Sequence, residues 1–461
     1  MTNYLHKVLP PQYSHVNKVY CLLAATVFCA LPLCSTEAAA ENILKYDGTT
    51  NIHGNAKTWA AKNEYDGIDI RVTGVDGGYY TDTTEALVLN NQTLNVKGKG
   101  KFVSIINTAQ NKQIDNNGGI YAKGGSTVNF TDVDSIYIAA IAGKEGGNDS
   151  TVISAKDPGR DLTGYTNIVN ISGTTVQLIG SIDVMHSLGS VFFNRNARHT
   201  VNAALSGSDS FWYGSAIGET DERTTVNLSL ADGATWIFNA GKSTLNAGGI
   251  IRNLKLDKGV VLFADAEVWE TYRKTVIKGT DYVLANYRDH NERYSQVEIR
   301  SLTGPGGIFK MDLDWQSNNG ERQYTEKSDF ITIGTAEDGS HQIVEFDMGK
   351  AHLDEMKNGD KLYFASVESG NTTFSTNADG EVNRADELYR FGLHTQSEED
   401  ETDQLTYWFL TKSIGSANEN VDFSMSVKVK LAMRNAAPMA FGLGTAIQIS
   451  VVSTRLTWIK T

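Results

Sequence analysis

Cysteine is confined to the first 34 residues of this 461-residue chain, as Cys21, Cys29 and Cys34. Everything downstream must hold together without disulfides, through core burial and backbone pairing. Proline is scarce, 6 residues against 43 glycines, so stiff proline-rich linkers between separate domains are lacking. Charged residues make up only 21%, and long charge-rich helical stretches are missing. The formal net charge is −13. No basic stripe with interleaved aromatics is present, and an acidic surface repels phosphate backbones, which argues against nucleic-acid binding.

Asn, Thr, Ser and Gly lie between short apolar runs, a texture of strands and turns. From about 50 to 300 the theme recurs as Thr93-Leu94-Asn95-Val96, Ser126-Thr127-Val128-Asn129-Phe130, Ile168-Val169-Asn170-Ile171, Thr200-Val201-Asn202-Ala203, Thr225-Val226-Asn227-Leu228 and Thr244-Leu245-Asn246-Ala247. One such unit carries too few apolar side chains to close a core. Stacked units share one core and pair each backbone with the next. The expected fold is all-β: a right-handed parallel β-helix (solenoid), a β-rich C-terminal cap, and a short terminal helix over 423–437 that ends before Pro438. A set of β-sandwiches is the competing architecture. Two readings of the asparagines stand: amides stacked into a ladder, or residues that mark turns.

The start of the chain reads as a secretory signal. Lys7 and Lys18 give a positive region, Val19 to Leu31 an apolar core, and Ala38-Ala39-Ala40 a cleavage site before Glu41. The apolar run is shorter than the roughly 20 residues of a spanning helix. The expected organisation is a signal at 1–40, a β-helical region at 41–300, a β-rich C-terminal region at 301–420, and a linker helix with an aberrant tail at 421–461. Two protruding loops are expected, at 141–165 and 270–295, where recognition residues would sit. The acidic cluster Glu398, Glu399, Asp400, Glu401 and Asp403 reads as a solvated turn.

Catalytic and metal signals are weak. Asp312 with Asp314, and Asp132 with Asp134, alternate as two carboxylates on one strand face would; a solvent-facing acidic edge accounts for them as well. Ser206-Gly207-Ser208-Asp209-Ser210 lacks the order of a serine-protease nucleophile, and the nearby His186 and His199 read as structural. The histidines at 53, 186, 199, 290, 341, 352 and 394 show no ligand spacing, and Gly147-Asn148-Asp149 is too short for a calcium repeat. The expectation is no catalytic constellation, no cofactor and no metal. Phe211-Trp212-Tyr213 and Tyr79-Tyr80 are consecutive aromatics, so one of each set should face outward, either for glycan or protein contact or beneath an insertion.

Four stretches in order carry a family resemblance: Leu230-Ala231-Asp232-Gly233-Ala234-Thr235-Trp236, followed by Ser243-Thr244-Leu245-Asn246 and Leu254-Lys255-Leu256; Leu302-Thr303-Gly304-Pro305-Gly306-Gly307-Ile308-Phe309-Lys310-Met311-Asp312-Leu313; Ser328-Asp329-Phe330-Ile331-Thr332-Ile333 with Gly339-Ser340-His341-Gln342-Ile343; and Tyr407-Trp408-Phe409-Leu410. They resemble the passengers of type V autotransporters, the group that includes pertactin. The resemblance covers 230–415 well and 50–230 in texture. It implies an exported, monomeric, adhesin-like surface module that contacts glycans or proteins. It also implies that 301–415 is the stable end that templates folding, and that 427–437 is the helix threading a translocator barrel. Only 24 residues follow Ala437, and even a small barrel needs eight strands of roughly ten residues. The expectation is a frameshift or early stop just after Phe441, or a truncated reading of the gene; taken as written, the chain would reach the periplasm. A β-helical carbohydrate-active enzyme and a nonfunctional remnant are the other functional readings.

Overall fold

The computed structural model describes residues 42–51, 62–75, 84–109, 117–142, 151–155, 164–184, 197–217, 223–238, 248–263, 283–284, 294–318, 320–322, 328–382, 389–400 and 402–417. The expected signal, the terminal helix and tail, Tyr79-Tyr80, and most of both loops lie outside those residues. The chain divides into a main unit, 1–380 with 392–413, and a small unit, 381–391 with 414–461. The described residues of the small unit are all in strands.

The described chain is all-β. Its helical elements are one turn at Trp315–Asn318 and a 3-10 turn at Leu353–Glu355. Alternation of Thr, Asn and Ser with Val, Leu and Ile gives strands with one dry and one wet face. In Thr224–Ala231, for example, Val226, Leu228 and Leu230 are buried and the residues between them are half-exposed, Thr224 at the start excepted.

Most pairing is parallel and follows three lines. The first joins Thr93–Lys97, the leading halves of Thr127–Ala142 and Thr166–Ile179, then Arg198–Ser206, Thr224–Ala231, Gly248–Phe263, Gln296–Lys310, Phe330–Ala336 and Lys361–Ser369. The second joins Ile43–Asn51, Gly67–Val75, Phe102–Ala109, the trailing halves of the long strands, Phe211–Gly214, Thr235–Phe238, His341–Glu345 and Thr373–Thr376. The third is a separate five-stranded sheet from Thr84–Asn90 to Ala216–Ile217. From Thr84 to Ile217 the chain visits the three lines repeatedly in one cyclic order.

Long strands turn a corner in mid-course. Their registers shift between Phe130 and Val133, between Leu230 and Ala231, and around Asp257. Asp132, Asp232 and Lys258 sit there at φ 58°, 52° and 61°. Aspartate tolerates this left-handed region better than most side chains. Gly306, φ 140°, lies against the next strand so closely that a Cβ would overlap the His341 carbonyl.

Among the described residues one apolar cluster has members from Tyr65 to Leu410, and strand Gln296–Lys310 carries it across position 300. Inside it Trp212 and Trp236 lie face to face, centroids 5.1 Å apart and 6° from parallel. Each indole N–H donates at 2.9 Å to a glycine carbonyl, Gly180 for Trp212 and Gly214 for Trp236. The last first-line strand, Lys361–Ser369, is covered on its far edge by the antiparallel strand Leu405–Ala417. That ending removes an open edge.

Candidate interaction face

The first line places one polar side chain above the next. Backbone register aligns Asn95, Asn129, Asn170, Asn202, Asn227 and Asn253. Their side chains form a chain of amide hydrogen bonds. Asn129 donates to Asn95 at 2.8 Å, Asn170 to Asn129 at 2.7 Å, Asn202 to Asn170 at 2.7 Å, Asn227 to Asn202 at 2.6 Å and Asn253 to Asn227 at 2.6 Å. Asn95 then donates to the Asn63 carbonyl at 3.0 Å. The asparagines are therefore a ladder in mid-strand, not turn markers. Asn246 lies outside the described residues; the sixth place belongs to Asn253, paired with Asn227.

The ladder is on the outer face. Its strand neighbours Leu94, Val96, Val128, Phe130, Val169, Ile171, Val226 and Leu228 are all in the core. Beyond Asn253 the same column continues as Ser301, Thr335 and Ser369. Nine strands thus carry a neutral hydrogen-bonding side chain at one position, a strip of about 38 Å at about 4.8 Å per strand. A second outward column aligns Ser172, Ala204, Ser229, Lys255 and Thr303. It ends at an open groove of about 620 Å³ lined by Lys255, Thr303, Glu337, Asp338 and Ser340 among others. Glu337 accepts the Gly304 backbone N–H at 2.6 Å, which fixes one wall.

The paired aspartates do not form a cleft. Asp132 is a left-handed corner and Asp134 accepts the Gly100 N–H at 3.1 Å, so the strand bends between them. Asp312 and Asp314 lie past the end of strand Gln296–Lys310. Asp314 is only 4% exposed. It accepts from Tyr294 Oη at 3.0 Å, meets His352 Nδ1 at 2.8 Å, and caps the Trp315–Asn318 turn through the Gln316 N–H at 3.1 Å. Asp314 therefore is not part of a solvent-facing acidic edge, whereas Asp132 and Asp134 are exposed, as such an edge requires. Asp329, buried, accepts the backbone N–H groups of Ser295 and Asp312, each at 2.6 Å.

Ser210 is also structural: its hydroxyl donates to the Ser206 carbonyl at 2.7 Å and accepts the Val176 N–H at 3.0 Å. His199 is fully buried, with Nδ1 3.1 Å from the Asn167 amide. His341 lies 2.9 Å from Thr373 Oγ1 and 3.0 Å from Ser375 Oγ on the next strand. Among the described residues no three His, Cys, Asp or Glu side chains converge to hold a metal ion. None of Phe211, Trp212 and Tyr213 faces solvent; all are at most 1% exposed. Trp212 enters the core, while Phe211 and Tyr213 point the other way and are covered there.

The acidic cluster is a clasp rather than a solvated turn alone. Arg322 bonds Asp400, and Glu398 at 2.9 Å, and its guanidinium lies over the rings of Tyr363 and Tyr407. Lys361 bonds Glu398 from below, Tyr363 donates to Glu398 at 2.5 Å, and Tyr407 donates to Asp403 at 2.6 Å. Arg322, Lys361 and Tyr363 are far from the acids in sequence, and no local pattern marks them as partners. No family model, curated protein or solved structure matches the chain.

Proposed function

We propose that this chain is the passenger of a type V autotransporter. In this reading it is a right-handed parallel β-helix, exported by its N-terminal signal, that serves as a surface-exposed or secreted interaction module of the adhesin kind. The observation that carries the proposal is the in-register polar column from Asn95 to Ser369 over one shared core. A coil of this kind gives a long, rigid, disulfide-free face, and such a face suits contact rather than turnover. Among the described residues, Asp134, Asp314 and Ser210 are engaged in backbone and turn hydrogen bonds.

The DNA immediately downstream of codon 441 tests the reading. A frame encoding amphipathic strands of a membrane barrel supports it. Downstream sequence with no barrel-coding frame would overturn it.

A further inference from the structure

The polar strip repeats one chemistry at one spacing, and that repetition limits what it can bind. An amide has two N–H donors and an oxygen with two lone pairs. Between neighbouring rungs the ladder uses one donor and one lone pair of each asparagine. One donor and one lone pair per rung are left to the outer side. From Asn129 to Asn227 the ladder and the adjoining Ser172, Ala204 and Ser229 carry no ionised side chain. A small ligand would find several equivalent, weak registers. A polymer with repeated neutral hydroxyls would engage many rungs at once, and its affinity would multiply with length.

Charge narrows the class further. The protein's net charge of −13 opposes a polyanion, and the strip offers a polycation no carboxylate between Asn129 and Asn227. The groove at the end of the second column adds a concave site of about 620 Å³, within the range that holds a small ligand. Lys255, Glu337, Asp338 and Ser340 supply donors and acceptors there that match sugar hydroxyls.

We propose that this face binds an extended, neutral polysaccharide, laid along Asn129 to Asn253 with one end in the groove beside Lys255. This rests on the interaction-module reading and names its ligand class. No aromatic platform lines the strip, so each sugar contributes little and chain length decides the affinity.

The test is calorimetry of the purified chain with a soluble neutral β-glucan, its oligosaccharide length series, and alginate as the polyanion. The expected result is binding to the neutral glucan that tightens with length and then levels off once the chain spans the strip. Ala204→Arg with Ser229→Arg puts bulk and charge on outward-facing strand positions, Ala204 exposed and Ser229 half-exposed, and should weaken binding at least about tenfold, with the thermal melt unchanged. If that variant does not fold, Asn253→Leu with Lys255→Met at the exposed end should still lower affinity. No glucan binding, length-independent binding, preference for alginate, or affinity unmoved by the variants overturns the proposal. Self-association of the chain that the arginine variant abolishes also overturns it, since a second copy then occupies the face. Failure here leaves the autotransporter reading intact, because the downstream DNA decides that independently.

Discussion

Asn202 is joined to Asn170 twice, through backbone register on adjacent parallel strands and through a side-chain amide bond of 2.7 Å. The second link is repeated along six strands, so each amide is polarised by the ones on either side.

Asn202→Ala breaks two of these bonds, to Asn170 and from Asn227. We expect a loss of about 1–3 kcal/mol, read from denaturant midpoints and from hydrogen exchange of the flanking strands. The double variant Asn170→Ala/Asn202→Ala should cost less than the two single losses together, because they share one bond. Strict additivity would count against a coupled ladder.

The ladder shows what the sequence makes legible. Thr-x-Asn units at 93–95, 127–129, 200–202 and 225–227 mark their own register, since a period of two fixes which side chain faces out. Asn253 escapes the pattern because Arg252-Asn253-Leu254 lacks the preceding threonine, and Thr244-Leu245-Asn246 imitates it. The aspartate pairs mislead for a different reason. Alternation assumes a straight strand, and Asp132 is the bend. Phe211 and Tyr213 point outward as expected, yet lie buried, because burial depends on what covers a face and not on the strand itself. The clasp joins Arg322 to Asp400, 78 positions away, and to the still more distant Tyr407, and no local spacing encodes it.

Trp212→Ala removes one half of the indole stack and leaves a cavity between strands. The expected cost is about 3–5 kcal/mol. Trp236→Phe keeps much of the ring contact but removes the hydrogen bond to the Gly214 carbonyl, at about 1–3 kcal/mol. Tryptophan fluorescence of each single variant should lose the signature of the stacked pair. A Trp212→Ala chain as stable as the parent would contradict a core shared between the two strands.

Gly306→Ala should be the most damaging glycine substitution in the Leu302–Leu313 stretch. The residue needs φ 140°, and its new methyl would enter the space of the His341 carbonyl. Both the strain and the clash act on backbone that cannot swing aside, so the loss should exceed about 3 kcal/mol. Gly339→Ala has open space around the added methyl and carries only the cost of its φ of 78°. Equal melting temperatures for the two variants would refute this ordering.

The clasp makes the C-terminal end sensitive to both pH extremes. For Glu398, burial raises the pKa, but hydrogen bonds from Lys361 and Tyr363 and the charges of Lys361 and Arg322 outweigh it and hold the group low. Asp400 is held low first by the Thr402 backbone N–H, against burial, with Arg322 adding to the effect. A carboxylate depressed in the folded state contributes stability above its unfolded pKa of about 4. That contribution fades as pH falls through the folded values. Tyr407 moves the opposite way: burial, then its hydrogen bond to Asp403, pushes it up to about 12. Its contribution is complete below the unfolded value of about 10, and it is lost as pH climbs from there through about 12. Tyr363, raised by burial and then by its bond to Glu398, adds to the same alkaline limb. Stability measured against pH should therefore fall on both sides of a broad plateau. Glu398→Gln should flatten the acid limb and, through Tyr363, shrink the alkaline limb slightly, while Tyr407→Phe acts chiefly on the alkaline one. Because Arg322 reaches both Glu398 and Asp400, Arg322→Ala should lower the plateau and shrink the acid limb together. An acid limb unchanged in both Glu398→Gln and Arg322→Ala would mean that the clasp does not hold the closing strand Leu405–Ala417 in place.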